Sequence, residues 1–193
     1  MWSPDGKAIA FLRGARKVMV LDVESKGARE VASSYFRLPP LDPTRAAAWS
    51  PDSKWLAYNS IGTRLFRNVA LVPAAGGTPI MASFLPNTFG GSILWSPDGK
   101  YLLFDTGQRT ENSRVARIDL IPRTPRFRED QFRDLFKDEP AKAPAVAKAE
   151  PAPTVDKTVK VVAEDIRQRL TLLPIGVDVN GIAISPDGKT LLM

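Results

Sequence analysis

The chain has 193 residues, 44% of them apolar and 25% charged, which suits one globular domain or part of a larger one. It contains no Cys and no His, which removes disulfides, thiolate metal sites, the usual zinc ligands, the Ser-His-Asp triad and the commonest general base. The formal net charge is +6 without one-signed clustering, and no run of about 18 apolar residues is present to span a membrane.

The chain opens with Trp2-Ser3-Pro4-Asp5-Gly6-Lys7, a turn sequence. Pro4 has its φ already set for the second position of a type I turn, Asp5 can bond nearby backbone, and Gly6 takes a left-handed conformation without a Cβ penalty. This predicts a three-residue hairpin loop closed by a bulge. Apolar residues Ala8 to Leu12 follow, and strands are expected over 8–13, 17–23 and 28–31, the last two joined by a turn at 24–27. After a loop at 33–45, residues 46–49 lead into a second copy, Trp49-Ser50-Pro51-Asp52-Ser53-Lys54. Ser53 replaces the glycine there, which predicts mild strain or a change of turn type. Strands are expected at 55–60, 68–72 and 78–83, with a turn at 73–77.

Residues 93–95 enter a third copy, Trp95-Ser96-Pro97-Asp98-Gly99-Lys100. Strands at 101–105 and 114–121 follow, and then the plan changes. Phe132, Leu135 and Phe136 are at helical spacing and predict a short amphipathic helix over 128–138. Ten of the sixteen residues 139–154 are Ala or Pro, and Pro140, Pro144, Pro151 and Pro153 oppose helix and sheet alike, which predicts a linker. Strands at 159–163 and 169–173 are then expected to finish the interrupted unit. A fourth copy, Ile184-Ser185-Pro186-Asp187-Gly188-Lys189, keeps the turn but puts Ile where the others have Trp.

The first three copies are 47 and 46 residues apart and the last gap is 89. Periods in the forties, each with about four short strands, are the signature of propeller blades. The expected fold is all-β, a partial β-propeller of about three to four four-stranded blades. Its units are 2–48, 49–94, 95–183 with a Pro/Ala-rich insertion at 128–157, and the start of another blade at 184–193. Such an arc would leave open strand edges, so a fragment of a longer polypeptide is expected, with self-association into a homo-oligomer as the other way to close the ring.

Trp2, Pro4, Asp5, Gly6, Trp49, Pro51, Asp52, Trp95, Pro97, Asp98, Gly99, Pro186, Asp187 and Gly188 are the residues singled out by the repeat. Aspartates and serines in loops could suggest a metal or catalytic site. Recurrence once per unit instead marks them as turn chemistry. A serine–lysine nucleophile would not need His, but the Ser and Lys of each copy are equivalent and no unique pair stands out. No catalytic, metal or cofactor site is expected, and no peptide hydrolysis by the chain. Arg114, Arg117, Arg123, Arg126, Arg128 and Arg133 are interleaved with Asp119, Glu129, Asp130, Asp134, Asp138 and Glu139, a mixed-charge face and not a nucleic-acid footprint.

The repeated Trp-Ser-Pro-Asp-Gly-Lys turns, each followed by an apolar strand, resemble the propeller repeats of TolB-like proteins, of prolyl oligopeptidase and dipeptidyl peptidase propellers, and of tricorn-type proteases. More specifically, Arg123-Thr124-Pro125-Arg126-Phe127-Arg128-Glu129-Asp130, the insertion after it, and 159–174 with Glu164-Asp165-Ile166-Arg167-Gln168-Arg169 resemble the propeller region of tricorn-type serine peptidases. That resemblance covers nearly the whole chain but only the non-catalytic part of the family's architecture. It implies further blades, a PDZ-like module and a serine peptidase domain elsewhere in the polypeptide, and a role in admitting or selecting unfolded peptides. The family's catalytic serine and histidine have no counterpart here. A TolB-like scaffold holding protein partners is the competing reading. The turn at the third residue leaves no room for a signal peptide, so a cytoplasmic location is expected, or a periplasmic one if a leader precedes this sequence.

Overall fold

The computed structural model describes residues 1–14, 16–34, 47–62, 64–88, 91–123 and 158–193. The expected helix at 128–138, the Pro/Ala stretch at 139–154, the insertion 128–157 as a whole and residues Arg126, Arg128 and Arg133 lie outside them.

Among the described residues the strands form four antiparallel sheets. The first holds β1 (Ala8–Arg13), β2 (Lys17–Asp22) and β3 (Ala28–Ser33), and Trp2 adds a single bridge to Ile9 where an inner strand would lie. The second holds β4 (Ala48–Trp49), β5 (Trp55–Ile61), β6 (Arg67–Pro73) and β7 (Ile80–Met81), paired in that order. The third holds β8 (Ile93–Trp95), β9 (Tyr101–Asp105), β10 (Val115–Asp119) and β11 (Leu170–Leu172), the last contributed from beyond the insertion. The fourth holds β12 (Ala183–Ile184) and β13 (Leu191–Leu192). Consecutive up-and-down sheets packed face to face are blades, and the chain is a partial β-propeller.

The core lies between blades, which explains the near-continuous apolar strands. Side chains alternate across a strand, and in the second and third blades both faces are covered. On β5, Leu56 and Tyr58 pack with Val18 and Val20 of the first blade, whereas Ala57 packs toward the third. On β6, Ala70 and Val72 face the first blade, and Val69 and Leu71 face Trp95, Leu102 and Phe104. Leu103, between Leu102 and Phe104, turns the other way to Ile184 and Leu191 of the fourth sheet. Buried polar groups at the far ends of the blades are paired. The Ser83 hydroxyl donates to Asn68 Oδ1 at 3.0 Å and accepts the Val69 N–H at 2.8 Å, and Asn68 Nδ2 donates to the Leu85 carbonyl at 3.1 Å.

Three expectations change. Residues 159–163 form no strand, because β11 already occupies the free edge of β10 in the register Ala116–Leu172 to Ile118–Leu170. The segment instead runs as an extended strap, with the Val162 N–H on the Leu120 carbonyl at 3.0 Å. The strand expected at 78–83 shrinks to Ile80–Met81, because the N–H groups of Ala82 and Ser83 both turn to the Val69 carbonyl. The hairpin loops hold four residues, not three: Ser3 N–H bonds the Ala8 carbonyl, so Pro4, Asp5, Gly6 and Lys7 all lie outside the ladder.

Candidate functional site

The repeated turns share one construction. In the first, the Gly6 N–H closes on the Ser3 carbonyl at 2.9 Å. The Ser3 hydroxyl donates to Asp5 Oδ1 at 2.6 Å and accepts the Ala8 N–H at 2.9 Å, while Asp5 Oδ1 also takes the Lys7 N–H at 3.0 Å. Side-chain oxygens thus supply the acceptors that the extra loop residue would otherwise cost the ladder. Ser50, Asp52 and Lys54 repeat this, with the Ser50 hydroxyl 2.6 Å from Asp52 Oδ1, and so do Ser185, Asp187 and Lys189, with the hydroxyl at 2.5 Å. In the third copy the Ser96 hydroxyl accepts both the Lys100 and the Tyr101 N–H at 3.0 Å, and Asp98 Oδ1 takes the Lys100 N–H at 3.2 Å.

The fourth position is left-handed throughout, with φ of +71° at Gly6, +67° at Gly99, +71° at Gly188 and +61° at Ser53. Ser53 therefore keeps the turn type, at a cost of roughly 1 kcal/mol for a left-handed non-glycine residue. Its hydroxyl gives something back: it accepts the Asp5 N–H of the neighbouring turn at 3.1 Å. The turns form a contiguous row. A Cβ on Gly99 would lie 3.4 Å from the Pro51 ring, and one on Gly188 would lie 3.4 Å from the Pro97 ring.

Each buried tryptophan ties its blade to the one before. The Trp49 indole N–H donates to the Met1 carbonyl at 3.2 Å, and that of Trp95 to the Ala48 carbonyl at 2.8 Å. Both rings are buried, whereas Trp2 is 61% exposed and Ile184 has no donor to offer.

The electrostatics follow the bonds. The Ser3 hydroxyl and Lys7 N–H hold the Asp5 carboxyl below its usual pKa, and the Ser185 hydroxyl and Lys189 N–H do the same for Asp187. For Asp98 burial pushes upward most strongly of any single influence, but the Ser96 hydroxyl, the Lys100 N–H and the Lys100 ammonium together outweigh it, and the pKa is lowered.

The strap crosses this row. The Val159 N–H donates to Asp52 Oδ2 at 2.9 Å, and its Cγ2 would lie 2.5 Å from a Cβ at Gly99, so it occupies the space that a side chain there would need. Arg169 clamps the strap from the other side. Its guanidinium donates to the carbonyls of Asp119 at 2.8 Å, Glu164 at 2.7 Å and Val162. Two of the basic residues named from the sequence, Arg117 and Arg123, are tied up locally. Arg117 pairs with Asp119 at 2.9 Å and stacks 3.7 Å over the Tyr101 ring, and Arg123 also reaches Asp119 at 2.9 Å. Among the described residues no group of three or more Asp or Glu is placed to hold a metal.

The structure thus places the singled-out Pro, Asp and Gly residues in one row of turns, with Trp49 and Trp95 behind it in the core. Ser53 was expected to bring strain or a change of turn type and not a bond to Asp5, and the contacts of Val159 and Arg169 were not foreseen from the sequence. The odd Ser in a Gly position was the only local signal, and nothing near Val159 indicates contact with a turn 107 residues earlier.

No family model matches the chain, and no curated protein matches it. Among solved structures it is similar to a provisionally assigned TolB from Agrobacterium tumefaciens, at 19% identity and a TM-score of 0.47 over 62% of this chain and 44% of that one. It is similar to TolB from Acinetobacter baumannii at 20% identity and 0.46, over 61% of this chain and 28% of that one. A provisionally assigned 6-phosphogluconolactonase from Bacteroides uniformis ATCC 8492 is similar at 17% identity and 0.49, over 99% of this chain and 45% of that one. The propeller assignment rests on the blades themselves, and the chain spans less than half the length of each of these proteins.

Proposed function

We propose that the chain is a non-catalytic propeller segment that serves as a scaffold for holding extended polypeptide. The observation that supports this is the strap, a stretch of extended chain held across two adjacent turns by one carboxylate and one glycine notch. The next junction of the row repeats the pairing of an aspartate with a following glycine, at Asp98 and Gly188. In this reading the chemistry, if any, belongs to other parts of a larger polypeptide, and the partners are further blades of that polypeptide, peptide segments and copies of the same chain. A cytoplasmic location goes with the proposal, and cell fractionation tests it.

A more specific form follows from the resemblance of 159–174 to tricorn-type serine peptidases. There the segment would help admit or select peptide substrates for a PDZ-like module and a peptidase domain outside this sequence. The strap and its Arg169 clamp fall within the resembling residues. The sequence following Met193 in the full reading frame separates this form from a TolB-like scaffold.

The test of the general reading uses reduced, carboxymethylated α-lactalbumin as an unfolded probe. Saturable binding with no turnover of a fluorogenic peptide is expected. Absence of binding, or hydrolysis that survives repurification, overturns it.

A further inference from the structure

Successive turns make three junctions, and what lies over the left-handed residue of the later turn differs among them. At the first junction Ser53 fills the position with its own side chain and bonds the Asp5 N–H. At the second, Gly99 leaves a notch beside Pro51, which Val159 fills while its N–H reaches Asp52 Oδ2. At the third, Gly188 stands beside Pro97 as Gly99 stands beside Pro51, each with a ring carbon 3.4 Å from the Cβ position. Among the described residues, apart from its own chain neighbours, only Pro97 comes within 4 Å of that position.

The carboxylate is matched too. In both turns Oδ1 accepts the lysine N–H, at 3.1 Å in Asp52 and 3.2 Å in Asp98, which leaves Oδ2 outside the turn's own backbone bonds. Asp52 Oδ2 takes Val159, whereas Asp98 Oδ2 has a partly exposed ion pair with Lys100 at 3.4 Å, a contact of modest weight that a long, mobile lysine can give up. Gly188 also lines a half-open cavity of about 140 Å³ between the third and fourth blades, whose walls are apolar at Leu103, Leu173, Ile184 and Leu191 and polar at Arg117, Lys189 and Thr190.

We propose that the Asp98–Gly188 junction is a docking site for an extended polypeptide segment carrying a small β-branched residue. The backbone N–H of that residue bonds Asp98 Oδ2, its side chain enters the notch over Gly188, and a neighbouring apolar side chain enters the cavity. The occupant is chosen by the molecule's own precedent, since Thr158-Val159-Lys160 fills the preceding junction in this way. The inference rests on the scaffold reading and gives it a location.

The probe is the peptide Thr-Val-Lys-Val-Val-Ala, titrated into the isotopically labelled chain and followed by amide NMR. Because the strap is attached to its own junction and therefore held at high effective concentration, the free peptide is expected to bind weakly, with Kd on the order of 0.1–1 mM, at the third junction. Saturable shifts are expected at Gly188, Lys100 and Tyr101. Asp98→Asn keeps the Oδ1 acceptor of the turn but turns Oδ2 into a donor, and is expected to weaken binding about tenfold or more. Asp5→Asn is expected to leave binding unchanged. No saturation, shifts centred on Gly99 or on strand edges, or wild-type affinity in Asp98→Asn would each overturn the site. If α-lactalbumin still binds to the chain in any of those cases, the scaffold reading stands while this location for it falls.

Discussion

Gly99 shows how much one hydrogen atom in place of a methyl can decide. Its φ of +67° would penalise any side chain, and its Cβ would sit 2.5 Å from Val159 Cγ2. Gly6 has a φ of +71° but open space around it. Gly99→Ala is therefore expected to destabilise the chain by about 2–4 kcal/mol, and Gly6→Ala by only about 1 kcal/mol. Urea titrations of the two variants measure the difference, and equal losses would mean that the Val159 contact carries no weight. Asp105 makes a second residue-scale case, with the sign of its pH dependence opposite to that of the turn aspartates. Burial pushes its pKa up, against the N–H groups of Gly91 at 3.0 Å and Ser92 at 2.8 Å. A raised folded-state value means that stability falls as pH rises from the unfolded value through the folded one. Asp5, Asp98 and Asp187 have lowered values, so their contribution is present above the unfolded pKa and is lost as pH falls below about 3.8 through the folded values. Asp105→Asn retains an acceptor oxygen without the charge. It is expected to raise Tm by a few degrees at pH 7 and to give no such gain at pH 3, as read by calorimetry at the two pH values. A lower Tm at pH 7 would contradict it.

Among the elements, the strap depends most on distant parts of the chain. Its backbone is anchored by Asp52, by the Leu120 carbonyl and by the Arg169 guanidinium, all outside any ladder. Arg169→Ala removes the clamp but leaves the blades' ladders intact. Amide exchange at Val159 and Val162 is expected to accelerate at least tenfold, with little change at Val69 or Leu103 in the blade cores. Uniform acceleration across the chain would instead make Arg169 a determinant of global stability. The central blade strands were readable because both of their faces are buried and their apolar runs are bounded by turn residues. The strap was misread for a related reason: Val159, Val161 and Val162 have the composition of a strand, but the edge they would pair with is taken by Leu170–Leu172. Strand propensity reflects fit to a pleated, half-buried surface, and no local pattern reports whether such a surface is free.

At the scale of the whole molecule, the blades repeat an interface that differs at the two ends. Trp49 and Trp95 are 8% and 7% exposed with their indoles bonded to the preceding blade, whereas Trp2 is 61% exposed and Leu192 69%. Exposed apolar surface of this kind favours association. The isolated chain is expected to self-associate with rising concentration, and Trp2→Ser to shift it toward monomer, as measured by size-exclusion chromatography with light scattering. A strictly monomeric wild-type chain up to about 100 μM would show that the exposed end faces do not drive assembly.

The sequence by itself determined the blades. Three Pro-Asp turns 47 and 46 residues apart and a fourth 89 residues on, with apolar strands between them, admit few other packings, because turn chemistry and alternation act over only a few residues. It also determined that repeated Asp and Ser residues would serve the turns, since a role shared by every unit is seldom a unique site. Only the tertiary structure decided which junction between turns each left-handed residue would face, and what would lie over it. Ser53, Gly99 and Gly188 hold the same position in the repeat, yet one bonds Asp5, one receives Val159 and one faces only Pro97. Those differences arise from residues far apart in the chain that the packing of blades brings within a few ångströms, a relation that no local pattern encodes.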